Sequence, residues 1–84
     1  MAQVTITAEA LSQLDGLPAE IVARMEKLIE RLKKWPNVSG VKPLRGNLAG
    51  RHRMRTGDYR LQFCLREQTI VIERIGHRDG FYEG

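Results

Sequence analysis

Between positions 59 and 65 every second residue is apolar (Tyr59, Leu61, Phe63, Leu65), and the intervening positions hold Arg60, Gln62 and Cys64, with Arg66 following. Side chains of an extended chain point alternately to opposite faces, so this stretch reads as a strand with one face buried and the other open. A slip of one residue would drive arginines into the core, which pins the register. One strand cannot be stable alone, so the chain must supply both neighbours and a covering layer. The neighbours are at hand. Residues 51–55 alternate, with Arg51, Arg53 and Arg55 on one face and His52 and Met54 on the other, and residues 69–75 are rich in β-branched side chains. Thr56-Gly57-Asp58 and Glu67-Gln68 supply the turns, giving an antiparallel meander.

The covering layer comes from the first half of the chain. Ile21, Val22, Met25, Leu28, Ile29, Leu32 and Trp35 recur at helical spacing, and Pro36 ends the pattern. Pro18 suits the first turn of this helix. A shorter helix is expected from Ala8 to about Leu14, with Thr7 as its hydroxyl cap and Asp15-Gly16-Leu17 as its break. Before it, Val4 and Ile6 share one face of a short strand. The stretch 37–50, with Pro43 and three glycines, reads as a loop. The expectation is an α+β fold of order β-α-α-β-β-β, an antiparallel sheet with a helical hairpin packed on one face. With 84 residues there is room for a single domain spanning 1–84.

The net charge of +4 is unevenly spread. Residues 1–34 balance five basic against five acidic side chains, whereas residues 35–66 hold Lys42, Arg45, Arg51, Arg53, Arg55, Arg60 and Arg66 against Asp58 alone. Six of these seven cations are arginine, whose planar fork grips phosphate in a bidentate manner. The alternation aims Arg60 away from the helices, and a tight hairpin brings Arg53 and Arg55 to the same open face. His52, on the other face, is expected to be packed. No apolar run approaches the roughly 20 residues a membrane span needs. The N-terminus lacks a signal-peptide pattern, so the expected address is cytoplasmic. A lone Cys64 and two histidines offer neither a disulfide nor a zinc site.

Several segments taken in order are specific in combination: residues 42–50 (KPLRGNLAG), Arg53-Met54-Arg55, Gly57-Asp58-Tyr59-Arg60-Leu61, Ile75-Gly76-His77-Arg78 and Phe81-Tyr82. Together they resemble the RelE/ParE superfamily of toxins from type II toxin-antitoxin systems, in its RelE-like branch. The resemblance covers essentially the whole chain. It implies an endoribonuclease, an mRNA interferase that cleaves messenger RNA at the ribosomal A site and inhibits translation. It also implies a cognate antitoxin partner, with DNA engaged only indirectly through the toxin-antitoxin complex. Carried over by motif, Arg60, Arg78, Tyr82 and His77 are the expected catalytic residues. Arg53, Arg55, Arg51 and Arg45 are the expected RNA-binding set. No cofactor, metal or membrane is implied.

The chemistry suits those residue types. RNA carries its own nucleophile, the 2′-hydroxyl, so the protein must align it, remove a proton, stabilise charge on the phosphate and protonate the leaving 5′ oxygen. Arginine, with a pKa of roughly 12.5 or above, is an electrostatic clamp and a poor proton carrier. His77, with an ordinary pKa near 6.5, is a candidate acid, and Tyr82, near 10 unless lowered by positive charge, a candidate base or stacking residue. The alternative within the superfamily is a ParE-like inhibitor of DNA gyrase without nuclease activity. A non-catalytic nucleic-acid-binding module is a third class.

Overall fold

A computed structural model describes residues 2–80. The elements run β1 (Gln3–Ile6), α1 (Ala8–Asp15), α2 (Ala19–Leu32), β2 (Lys42–Pro43), β3 (Arg51–Thr56), β4 (Tyr59–Arg66) and β5 (Thr69–His77). Thr7 caps α1 as its hydroxyl accepts from the Ala10 N–H at 3.1 Å. Pro18 occupies the N-cap position of α2, and the helix proper ends at Leu32, short of Trp35. Turns closed by Lys34 N–H to Arg31 O and Trp35 N–H to Leu32 O carry the chain to Pro36.

The meander is present, but the sheet is mixed and five-stranded, in the order β1-β5-β4-β3-β2. The first strand lies parallel to β5, with Val4 opposite Ile70 and Ile6 opposite Ile72. The parallel pair joins the two ends of the chain through the helices and the rest of the meander, a long crossover of the kind parallel strands need and that local patterning does not reveal. Within the expected loop, Lys42 and Pro43 pair with Arg53 and His52 to form a two-residue edge. Proline on so short an edge strand blunts it against pairing with other chains.

The helices cover one face. Ala10 and Leu14 from α1 and Met25, Leu28 and Leu32 from α2 meet Met54, Leu61, Phe63, Ile70, Ile72 and Ile75 from the sheet in one buried cluster. His52 belongs to this side. Its ring stacks on Phe63 at 5.4 Å and meets the edge of Trp35 at 5.6 Å, so it is a packing residue as its strand position implied.

The β5 strand departs from regular alternation at one place. Gln62 lies opposite Arg74 and Phe63 opposite Ile72, so Glu73 is an extra residue, a β-bulge. The bulge resets the phase. Ile70 and Ile72 face the helices, and beyond it the inward position falls to Ile75 while Arg74 turns outward. At the same level β1 has ended, and α1 replaces it along the edge of β5. The Gln13 side-chain carbonyl accepts from the Ile75 N–H at 2.8 Å. Gln13→Leu keeps the side-chain volume and leaves that N–H without a partner. The expected cost is about 1–3 kcal/mol of unfolding free energy, read from urea denaturation.

Candidate nucleic-acid interface

The face of the sheet opposite the helices collects the arginines, because residues directly opposed across strands share a face. One row runs Arg55, Arg60, Gly76 across β3, β4 and β5, and the next runs Lys42, Arg53, Gln62, Arg74 from β2 to β5. Arg51 and Cys64 follow, then Arg66. Arg55 and Arg60 are direct cross-strand neighbours, a like-charge placement that costs up to about 1 kcal/mol and that an anion would relieve. Arg45 adjoins this field: it lines a depression with Lys42, Pro43, Leu44 and Arg53 at the β2 edge. The glycine-containing turn Gly46–Leu48 follows Arg45, and Gly46 and Gly50 take φ of 64° and 90°, conformations open to glycine.

Against these cations the described strands place one carboxylate, Glu73, carried outward by the bulge. Its Oε1 accepts from Arg51 Nε at 2.8 Å and from Gln62 Nε2 at a longer 3.5 Å. Burial pushes the Glu73 carboxyl up. The hydrogen bond and charge of Arg51, helped by Gln62 and Cys64, outweigh it and hold the carboxyl below its ordinary range. The same hydrogen bond, then the charge of Glu73, raises the Arg51 guanidinium further. Arg51 is thus the partner of Glu73 on the face where strand alternation places it. Because the folded-state pKa of Glu73 is depressed, its stabilising contribution is complete above its unfolded pKa of about 4.3 and is lost as pH falls through the lower folded value. Glu73→Gln is expected to flatten the fall of the thermal midpoint below about pH 4.3 and to leave the slope above pH 6 unchanged. Thermal scans across pH check this.

The remaining expected site residues divide. Arg60 lies half-buried in its row, and its Nη1 is buried without a hydrogen-bond partner, as is Oε1 of Gln62. Arg78 begins a short 3-10 turn, Arg78–Gly80, one residue past the end of β5. Its N–H is tied to Asp58 O at 2.8 Å, and its Nε lies 3.8 Å from Asp58 and 3.7 Å from Asp79. Arg60 and Arg78 thus leave the same end of the sheet, beside the β3–β4 turn. His77 does not join them: it is opposite Tyr59 in the ladder, on the helix side, with its ring edge-on to Tyr59 at 5.2 Å. Its Nδ1 accepts from the Asp79 N–H at 3.2 Å, which in the neutral ring leaves the proton on Nε2. The alternation of β5, which puts Ile75 on the helix side, puts His77 on the same side, where its side chain is 42% exposed. Tyr82 lies outside the described residues. Arg74 and Glu73 are residues of the face that the sequence reading did not name, and Lys42 and Gln62, named there for charge and strand face, join them. The spacing Ile70, Ile72, Ile75, two and then three, was the signal for the bulge that exposes Arg74 and Glu73.

Comparison with known proteins accords with this arrangement. A family model described as the ParE toxin of type II toxin-antitoxin systems, parDE, matches residues 4–80. Two Mycobacterium tuberculosis proteins are similar along most of their length. Toxin RelE is 37% identical over 94% of this chain and 84% of its own, and Toxin RelG is 38% identical over 94% and 93%. A chain in the crystal structure of the RelBE2 toxin-antitoxin complex of the same organism superposes with a TM-score of 0.80 at 35% identity, over 92% of this chain and 98% of that one. The isolated Escherichia coli RelE toxin shares the fold, with a TM-score of 0.77 at 16% identity, over 92% of this chain and 84% of that one. In sequence and in architecture, the chain belongs to the RelE/ParE superfamily of type II toxin-antitoxin toxins.

Proposed function

We propose that this chain is an endoribonuclease that cuts messenger RNA in the ribosomal A site and so inhibits translation, restrained by a cognate antitoxin. The observation that supports the reading most directly is the pair of adjacent cationic rows, Arg55-Arg60 and Lys42-Arg53-Gln62-Arg74, on the sheet face opposite the helices. The match to relatives named RelE and RelG favours the ribonuclease reading over gyrase inhibition. In this proposal Arg60 and Arg78 clamp the scissile phosphate and stabilise the charge that builds on it as the 2′-hydroxyl attacks. Arg53 and Arg55 hold the flanking backbone, and Arg45 extends the track. Arginine cannot carry the proton, so proton abstraction from the 2′-hydroxyl is given to Tyr82, and the leaving 5′ oxygen takes its proton from solvent water. With His77 turned onto Tyr59, its part is to brace the Arg78 turn through Asp79. The antitoxin is the acidic, partly disordered kind of partner that a dense cationic face captures well, and any contact with DNA is made through that complex.

Programmed ribosomes incubated with the protein, with message 5′ ends mapped afterwards, test the reading. Codon-linked cuts are expected, and gyrase-dependent DNA breaks without RNA cuts would establish the ParE-like alternative. Arg60→Ala and Arg78→Ala are each expected to slow cleavage about 100- to 1,000-fold, the cost of removing one preorganised donor from a developing charge. Their thermal midpoints should stay within a few degrees of wild type, since neither side chain belongs to the apolar core. Tyr82→Phe removes only the hydroxyl, and wild-type cleavage by that variant would exclude Tyr82 as the base.

A further inference from the structure

Gln62 sits at the centre of the cationic face and is only 5% exposed. Its Nε2 donates to Glu73 Oε1, and an ionised carboxylate can only accept, so the amide NH₂ is held toward Glu73 and the carbonyl oxygen is turned away. That oxygen is buried and has no hydrogen-bond partner. A buried acceptor without a donor is rare in folded proteins and calls for an explanation, above all on a face crowded with guanidinium donors. Arg60 Nη1, two residues away on the same face of β4, is a buried donor in the same condition. An acceptor and a donor left open two residues apart on one face of the same strand match a ligand that offers both a donor and an anionic acceptor.

We propose that Gln62 positions the ribose 2′-hydroxyl of the RNA: its Oε1 accepts the hydroxyl proton as a hydrogen bond while Arg60 holds the adjacent phosphate. The proposal rests on the ribonuclease reading above and adds to it the group that tells RNA from DNA. A phosphate contact does not do this, because the phosphate is the same in both polymers. The carboxylate of Glu73 is occupied by Arg51 and acts on the substrate only through Gln62, by setting which end of its amide is presented. Arg53 and Arg74 flank Gln62 in register, which places the amide between two cations of the face. Gln62 is neutral and takes no proton. It orients the nucleophile and leaves proton abstraction to another group.

Fluorescence anisotropy with a single-stranded RNA and the DNA of the same sequence, off the ribosome, tests this. The wild-type protein is expected to prefer the RNA by about three- to tenfold, the worth of one ordinary hydrogen bond. Gln62→Met, similar in length and without the strong acceptor, is expected to bring the two affinities together by weakening RNA alone. Glu73→Gln provides a second route that does not depend on the Met variant folding. It removes a negative charge and so strengthens DNA binding, yet frees the Gln62 amide to turn and thereby narrows the RNA preference. A preference unchanged in both variants, a loss shared equally by RNA and DNA, or no wild-type preference would each overturn the assignment of Gln62. RNA cleavage on ribosomes in any of those cases would leave the ribonuclease reading standing. Absence of both binding and cleavage would remove the two together.

Discussion

The extra residue in β5 is the constraint on which the functional face depends. A regular strand from Thr69 to His77 would keep Ile70, Ile72 and position 74 on one side, aiming the Arg74 guanidinium at the helices and Ile75 at solvent. Burying an unpaired charge against the Ile72 and Phe63 neighbourhood would cost several kcal/mol, so the chain takes the bulge. Its consequences are felt on both sides of the sheet. Ile75 completes the core, and Glu73 and Arg74 both reach the open face. The bulged segment passes beyond the end of β1, and α1 satisfies it there with the Gln13 carbonyl.

The same feature sets the electrostatics. A face carrying Lys42, Arg53, Arg55, Arg60 and Arg74 repels itself, and a domain of this size has little stability in reserve. Glu73 relieves one end of the array by engaging Arg51, while the row containing Arg55 and Arg60 receives no carboxylate from the described strands. At the end nearest the β3–β4 turn, where Arg78 departs, the carboxylates come from turns, Asp58 and Asp79, and both lie against Arg78. Charge left unbalanced at one place and balanced at another is how a fold concentrates a field for an anionic ligand without spreading the cost across the sheet.

Much of this was legible from periodicity. The alternation from Tyr59 to Leu65 placed Arg60 opposite the core, the helical stripe identified α2, and Thr7 announced α1. Those signals are local, and local signals survive without knowledge of what packs against what. The parallel docking of β1 onto β5, the pairing of Lys42 with Arg53 and the placing of His77 beside Tyr59 are products of long-range register, which no window of sequence contains. His77 is instructive. Its motif neighbours are Gly76 and Arg78, yet strand alternation alone, once β5 is seen to extend past Ile75, places its ring beside Tyr59 and away from Arg60. Gln62 was correctly placed on the arginine face by alternation, but its burial and its orientation by Glu73 required the bulge.

The division of labour on this face follows from what its side chains can and cannot do. Guanidinium groups stabilise charge, hold position and keep their protons, so an arginine field by itself binds any phosphate polymer and cuts none of them. An acceptor for a ribose hydroxyl on this face must be neither taken up by the arginines nor repelled by the phosphate; the Gln62 amide oxygen meets both conditions, and the Glu73 carboxylate, held by Arg51 and anionic, meets neither. Placing that amide between Arg53 and Arg74, with its direction set by Glu73, puts the acceptor inside the field that attracts the backbone. The carboxylate can then tune the site from behind without presenting its own charge to the substrate.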